Sequence, residues 1–181
     1  APDAVPAAVI VGLFTVPYMV TQSFLASYVE DLQINVRVGL FFPVYALVLL
    51  ALRYCLKRAF DSWRFSTFLI GSSICATAAF CLLSIMSGGI AMFSAAACMA
   101  GGYGVMCSVC QGAAVRVVRP DGTGMANSTY YMGIDIGMAL GPTLGGWLYG
   151  AFGPSMLFWP CLVFAPCALL VYAASRVLHS L

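Results

Sequence analysis

The stretch YYMGIDIGMALGPTLGGW, residues 130–147, combines four glycines at a four-residue interval with one proline and one aspartate in an otherwise apolar run. Glycine weakens an isolated helix, and a carboxylate is costly to keep in an apolar environment. In a transmembrane helix both have a use, because glycines allow neighbouring backbones to approach and an acidic residue is typical of a functional position. The stretch therefore predicts a membrane protein.

The composition of the whole chain agrees with this interpretation. Of 181 residues, 62% are hydrophobic and only 8% are charged, whereas soluble domains carry about 25% charged residues. The charged residues separate apolar runs about as long as the ~20 residues that cross a bilayer as a helix. We predict an all-α polytopic membrane protein in which residues 1–181 form a single six-helix transmembrane bundle. The predicted spans are residues 7–28, 38–56, 66–86, 89–114, 127–152 and 154–177.

The basic residues of the connections predict the orientation of the bundle. One side of the membrane receives nearly all of them: Arg53, Lys57, Arg58, Arg64, Arg116, Arg119 and Arg176. The connections on the opposite side contain only Arg37. Because basic residues are retained in the cytoplasm, we expect both termini there, with the protein integral to an inner or plasma membrane.

The glycines of the opening stretch define one face of the fifth predicted helix. Residues at a four-residue interval form a ridge along a helix, and we expect this ridge to pack closely on another helix. Asp135 lies about 200° around the helix from both neighbouring glycines, and Ile134 also lies off the ridge. The residues assigned to packing are Gly133, Gly137, Gly141, Pro142 and Gly145.

Asp135 shares its own face with other polar side chains. Asn127, Ser128 and Tyr131 precede it on this face, and Met138 follows. At 1.5 Å per residue, Asp135 lies about 12 Å beyond Asn127, within the hydrocarbon layer. A carboxylate facing lipid at that depth would cost several kcal/mol, so we expect it to face a water-filled cavity or a protein partner.

Two further helices carry polar strips. The first contains Thr15, Tyr18 and Gln22, and the fourth contains Tyr103, Cys107 and Gln111, each set on one helix face. These residues line a passage or, as an equally good interpretation, form interhelical hydrogen bonds worth about 0.6 kcal/mol each.

Several other kinds of chemistry find no support in the sequence. The eight cysteines are Cys55, Cys75, Cys81, Cys98, Cys107, Cys110, Cys161 and Cys167, and we expect them to be buried small hydrophobes of apolar helices. Cys107 and Cys110 have the spacing of a metal-binding pair, but no second pair accompanies them. The sole His179 lies in the tail, and the net charge of +2 is too small for a nucleic-acid surface. We predict no enzyme activity, no metal and no cofactor.

Two motifs carry a resemblance to a known family. GMALGPTLGG, residues 137–146, fits the glycine–proline pattern gxxxGPxxGG, and with it the chain resembles one half of a transporter of the major facilitator superfamily. In that family the pattern is best known as the antiporter signature of the fifth helix in the N-terminal half, but a similar sequence occurs in the eleventh helix. RYCLKRAFDSWRF, residues 53–65, keeps Arg53, Arg58 and Asp61 of the charged signature between the second and third helices. It departs from the signature at Lys57, Ser62 and Arg64, and positive-inside charge alone is the alternative explanation.

The resemblance extends to one type of member and one half of the fold. STYYMGIDIGMALGP, residues 128–142, is similar to the eleventh helix of drug-exporter-like members. TQSFLASYVEDLQINVRVGLFFPVYALVLLALR, residues 21–53, is similar to their seventh and eighth helices. The chain is therefore interpreted as the C-terminal half, helices 7 to 12, and its partner would be the missing N-terminal six-helix half.

The resemblance implies secondary active transport of a small solute by alternating access, with proton-coupled efflux expected. The solute and proton pathway would contain Asp135, Tyr131, Asn127, Gln22, Tyr18, Gln111 and Tyr103. A cytoplasmic gate would be held by Arg53, Arg58 and Asp61. The alternative is a self-sufficient six-helix protein, either a transporting homodimer or an assembly or scaffold protein without transport activity.

Overall fold

The computed structural model describes residues 1–175 and 178, except for the side chain of Asp61. Helices account for all the regular secondary structure in these residues. The α-helices are α1 (Val5–Asp31), α2 (Phe41–Cys55), α3 (Ala59–Ser62), α4 (Phe65–Ser84), α5 (Gly89–Met99), α6 (Val105–Arg116), α7 (Thr123–Phe152) and α8 (Phe164–Ala174). A π-helical segment, Ala100–Gly104, joins α5 and α6 into one continuous span.

Five helical segments among the described residues are long and apolar enough to cross a membrane. They are Pro2–Asp31, Val38–Cys55, Phe65–Ser84, Gly89–Arg116 and Pro154–Ala174. The remaining long helix, α7, has 30 residues, more than the ~20 that a crossing requires. Its glycines, tyrosines and threonines lower its hydropathy below that of the other five. The prediction of an all-α polytopic membrane protein is confirmed.

The last span differs from the continuous helix predicted for residues 154–177. It begins with two 3₁₀ turns, Pro154–Met156 and Pro160–Val163, and becomes α-helical only at Phe164. Each turn starts at a proline, which has no backbone N–H to donate and which ends a preceding helical ladder. The prolines therefore divide a segment whose apolar composition alone predicts one helix. Residues 176 and 177 lie outside the described residues.

The first helix occupies the centre of the bundle. α1 packs most extensively on α7 and also contacts α6 and α8. On the other side of the bundle, α4 packs on α5, α6, α8 and the π segment. α2 lies at the edge, against α5 and the π segment, and buries only Phe41 and Tyr45. The most buried residues therefore follow α1 and the middle of the α5–α6 span.

The contact between α1 and α7 is made through glycines. A Cβ atom added at Gly137 would lie 2.6 Å from the Cβ of Thr15, and one at Gly141 would lie 2.5 Å from the Cβ of Met19. A Cβ atom at Gly145 would lie 2.7 Å from the Phe24 ring. These separations are too short for a methyl group, so α7 touches α1 at van der Waals distance only because these side chains are hydrogen atoms.

Gly133, the first glycine of the ridge, makes the closest approach to α1. The Cα of Gly133 faces the backbone of Ala8, and a Cβ atom there would overlap the Ala8 carbonyl group. On the α1 side, a Cβ atom at Gly12 would lie 2.9 Å from the Gly133 carbonyl oxygen. These contacts fix the rotation of α7 about its own axis. This rotation places Asp135 on the side of α7 away from α1.

Candidate functional site

The π segment interrupts the regular ladder of the α5–α6 span. In an α-helix the Val105 N–H would donate to the Gly101 carbonyl, but here it donates to the Ala100 carbonyl. The Ser72 hydroxyl of α4 supplies a donor to the Gly101 carbonyl at 3.0 Å. Such π turns insert one extra residue into a helix and occur frequently at functional sites.

Small residues allow this irregular segment to pack. A Cβ atom at Gly102 would lie 3.1 Å from the Ala76 backbone of α4, and one at Gly104 would lie 2.6 Å from the Leu49 side chain of α2. The segment is therefore held between α4 and α2. Tyr103 projects from between these glycines.

Three tyrosines form an aromatic cluster where α1, α2 and the π segment meet. The rings of Tyr18 and Tyr103 are stacked, with centroids 4.1 Å apart and an interplanar angle of 17°. Tyr45 lies 5.5 Å from Tyr18, tilted by 37°. The Tyr103 hydroxyl is close to the side chains of Thr15 and Cys107. The structure therefore brings residues of two predicted polar strips together, in the tyrosine cluster of Tyr18, Tyr45 and Tyr103.

Asp135 lies on the exposed surface of the described bundle, on the side of α7 away from α1. Tyr131, one turn before it, is 52% exposed, and Met138, one turn after it, is 44% exposed. Asp135 is twelve residues into α7, about 18 Å along the helix axis. Within the described residues no hydrogen bond joins its carboxylate to the tyrosine cluster.

The exposed surface of α7 has two edges of different character. The polar edge contains Asp135 and Tyr131. The apolar edge, about a quarter turn around the helix, contains Met132, Ile136 and Leu140, all of them exposed. The apolar edge suits lipid, whereas a carboxylate on the polar edge would be costly to expose to hydrocarbon.

The amide residues of the predicted pathway occupy different environments. Gln22 on α1 is exposed, whereas Gln111 on α6 and Asn127 on α7 are partly buried. The Asn127 side-chain oxygen is itself fully buried, and it accepts no hydrogen bond from any described residue. Pro142 lies on α7 one turn beyond Met138, and it is partly buried outside the glycine contact with α1.

The predicted gate residues lie at one end of the bundle. Arg53 is in the last turn of α2, and Arg58 immediately precedes α3. Both are exposed, and neither forms an ion pair with any residue in the described part of the chain. The backbone of Asp61 belongs to α3, but its side chain lies outside the described part, as do Arg176 and His179. The gate stays a prediction.

The sequence does not predict three features of the site. The first is the π segment, which positions Tyr103, and the second is Tyr45, which completes the tyrosine cluster. The third is the hydrogen bond that the Tyr130 hydroxyl donates to the Cys107 carbonyl at 2.9 Å, which joins α7 to α6. The sequence AGGYG, with three glycines in five residues of an apolar span, is the signal that indicates an irregular helix. No comparable signal marks Tyr45, because its burial depends on how α2 docks.

The cysteines only partly match the expectation of burial. All eight are free thiols, and Cys110 and Cys161 are buried. Cys55 is exposed, because it terminates α2 at the edge of the bundle. The other five are partly buried.

Comparison with known proteins places the chain in one family. The family model described as Major Facilitator Superfamily matches residues 7–179, nearly the full length of the chain. No curated protein matches it.

Proposed function

Because the chain belongs to the Major Facilitator Superfamily and is therefore a membrane transporter by family, we propose that it is the C-terminal half of a drug-exporter-like, proton-coupled efflux protein. Transport of a small solute replaces catalysis in this family, in agreement with the prediction that the chain is not an enzyme. The family match does not favour the alternative of an assembly or scaffold protein.

One observation carries the proposal: Asp135 is exposed on the bundle at a depth where lipid cannot solvate it. The glycine contact with α1 turns Asp135 outward, and Tyr131 and Gln22 are exposed as well. An ionised carboxylate needs water or a polar partner at that depth. A second six-helix half, facing this polar edge across an aqueous cavity, supplies both.

The contact between α1 and α7 gives the polar edge a firm support. Besides the glycines, the Phe24 and Tyr149 rings stack with centroids 5.6 Å apart, and the Tyr149 hydroxyl donates to the Asp31 carboxylate. Contacts between the two helices therefore extend from Ala8 and Gly133 to Asp31 and Tyr149, near the C-terminal ends of both helices. In alternating access such a pair moves as one body, so that Asp135 is exposed to each side of the membrane in turn.

The proposed transport cycle assigns a role to each group. Asp135 binds a proton from one side, and its neutral form allows the cavity to close, because no charge then has to be buried. The stacked Tyr18 and Tyr103 rings provide a flat aromatic surface against which a solute ring can lie. Gln22, Gln111 and Asn127 offer hydrogen-bonding groups along the same passage.

The basic end of the bundle, defined by Arg53, Lys57, Arg58, Arg64, Arg116 and Arg119, is proposed to face the cytoplasm. All six side chains are exposed. There Arg53, Arg58 and Asp61 would pair with helix ends of the other half when the cytoplasmic side closes.

The test is the replacement Asp135→Asn in the full-length protein, reconstituted in proteoliposomes. The probe is ethidium, a fluorescent aromatic cation, and its transport is measured with and without an imposed pH gradient. We expect the wild type to respond to the gradient and Asp135→Asn to lose that response, while membrane insertion and thermal stability are unchanged. Asp135→Glu should restore it in part, because the carboxylate is retained.

The matched control is Thr143→Val on the same helix. Thr143 is exposed and its hydroxyl donates only to the Ala139 carbonyl one turn away, so its loss should leave the response intact. Wild-type transport in Asp135→Asn would make the aspartate structural. Failure of the wild type to move ethidium would refute the drug-exporter-like specificity while leaving membership of the family untouched.

A further inference from the structure

Tyr130 of α7 is a buried tyrosine that the proposed transport cycle does not use. It is only 3% exposed, and it lies five residues before Asp135, about 140° around the helix. Asp135 is exposed on the side of α7 away from α1, whereas Tyr130 is turned toward α6, where its hydroxyl donates to the Cys107 carbonyl at 2.9 Å. One helix therefore presents the proposed proton-binding carboxylate on one face and a defined contact with α6 on another.

Cys107 connects this contact to the tyrosine cluster. It lies four residues after Tyr103, about one helical turn along the same span. The Cys107 thiol is close to the hydroxyls of both Tyr103 and Tyr130. The Tyr103 ring in turn stacks on Tyr18, with centroids 4.1 Å apart. Contacts are therefore continuous from α7 to the aromatic surface on which a solute ring is proposed to lie.

The helix itself connects Tyr130 to Asp135. Both belong to α7, which runs without interruption from Thr123 to Phe152, and they are about 7.5 Å apart along its axis. The Tyr130 ring also contacts the Tyr131 ring edge-on, with centroids 5.2 Å apart, and Tyr131 lies on the polar edge one turn before Asp135. A displacement of α7 at Asp135 is therefore shared by Tyr130.

The π segment allows Tyr103 to follow such a displacement. α7 packs less extensively on α6 than on α1, so the position of α6 depends more on individual contacts such as the Tyr130 hydrogen bond. The π segment ends at Gly104, three residues before Cys107, and its hydrogen-bond ladder is already irregular. A shift at Cys107 can therefore change the orientation of Tyr103 without breaking a regular helix.

We propose, on the basis of the transport function proposed above, that Tyr130 is a positioning residue that couples Asp135 to the tyrosine cluster. When Asp135 takes up a proton and α7 shifts, the Tyr130 hydroxyl carries the shift to Cys107 and so to Tyr103. Packed side chains and hydrogen bonds of this kind transmit coupling between sites. The affinity of the cluster for a solute then differs between the two charge states of Asp135.

The test is a double-mutant cycle in the full-length protein, reconstituted in lipid nanodiscs. The dissociation constant of ethidium is measured by fluorescence polarisation for the wild type, Asp135→Asn, Tyr130→Phe and the double variant. We expect Asp135→Asn to change this constant about 5–150-fold when Tyr130 is present, the usual range of coupling between two sites. In the Tyr130→Phe background the change should be smaller by more than about twofold, the limit within which independent sites add.

Tyr28 provides the matched control. It is 1% exposed, and its hydroxyl donates to the Leu83 carbonyl at 2.9 Å, joining α1 to α4. Tyr28→Phe therefore removes the same kind of bond, and thermal unfolding should show a similar loss of stability in both phenylalanine variants. Only Tyr130→Phe should reduce the effect of Asp135→Asn. If Tyr130→Phe is too unstable to purify, Cys107→Ala interrupts the same series of contacts and is judged by the same criterion.

Two results would overturn the coupling role. An effect of Asp135→Asn that is not reduced beyond about twofold by Tyr130→Phe would mean that the two sites are independent, as direct attraction between the carboxylate and the cationic dye predicts. An equal reduction by Tyr28→Phe would assign the change to a general loss of stability. Failure of the proposed function is distinguishable: a wild type that does not bind ethidium, or whose affinity Asp135→Asn leaves unchanged, removes the role of Asp135 and the coupling role with it.

Discussion

Gly137 of α7 lies against Thr15 of α1 so closely that a Cβ atom at position 137 would be 2.6 Å from the Thr15 Cβ. Thr15 cannot withdraw, because it is fully buried and its hydroxyl donates to the Val11 carbonyl at 2.7 Å. One turn later, a Cβ atom at Gly141 would lie 2.5 Å from the Met19 Cβ and 2.8 Å from the Val16 carbonyl oxygen. The two helices therefore depend on the absence of side chains at these positions.

The first prediction concerns this contact. Gly137→Ala and Gly141→Ala should each destabilise the protein by about 1–3 kcal/mol, the usual cost of overpacking, and leucine at either position should be worse. Thermal unfolding in detergent measures the effect, at roughly 2–4 °C per kcal/mol for a chain of this size. Gly150 is the matched control, since it is exposed on the same helix and an added Cβ atom there meets nothing. Equal losses at Gly150 and Gly137 would contradict close packing as the cause.

Helical periodicity predicts which face of α7 packs on another helix, but it does not predict which helices cover the other faces. A four-residue glycine interval identifies the packing face of α7, and the position of Asp135 away from it follows from the geometry of one helix. Ile134 lies off the ridge by the same geometry, yet it is only 8% exposed. The reason is that α6 covers that side of α7, as the bond from Tyr130 to the Cys107 carbonyl shows. Which helix covers a face depends on tertiary docking, which no single helix encodes.

The second prediction concerns the π segment. Ser72→Ala removes the donor to the Gly101 carbonyl and should cost about 0.6–1 kcal/mol, the net value of such a bond. Hydrogen–deuterium exchange of peptides covering residues 100–105 should become faster, because the irregular turn loses its support from α4. Ser94→Ala, at an exposed position of α5, is the control. Unchanged exchange in Ser72→Ala would mean that glycine packing alone holds the segment.

The π segment also explains why the sequence predicts only part of the tyrosine cluster: Tyr18 and Tyr103 belong to predicted polar strips, whereas Tyr45 does not. Regular spacing places Tyr103, Cys107 and Gln111 on one face of a continuous α-helix, but the extra residue of a π turn changes the rotation of everything before it. Tyr18 and Tyr103 nevertheless meet, because α1 lies beside the span. Tyr45 joins them from α2, whose residues are otherwise mostly exposed.

The third prediction concerns orientation. In a cysteine-free background, Ser62→Cys at the basic end and Ser87→Cys in the connection between α4 and α5 give two exposed reporters. A membrane-impermeant maleimide added to intact cells should label the cysteine at position 87 and should reach position 62 only after permeabilisation. This follows from the excess of basic residues around Ser62. The reverse pattern would place the basic end outside the cell.

The last prediction distinguishes a water-filled passage from a surface that simply faces lipid. Met138 and Ile136 are exposed to similar degrees on the bundle, 44% and 56%, but Met138 belongs to the polar edge with Asp135 and Ile136 to the apolar edge. A hydrophilic methanethiosulfonate reagent reacts with thiolate, which forms in water and not in hydrocarbon. In the full-length, otherwise cysteine-free protein in native membranes, Met138→Cys should therefore react readily and Ile136→Cys should not. A bound solute should slow the reaction at position 138, because it occupies the same passage. If both cysteines resist modification, the second half buries the polar edge without a cavity; if both react alike, the two edges do not differ in their access to water, and Asp135 would need another explanation.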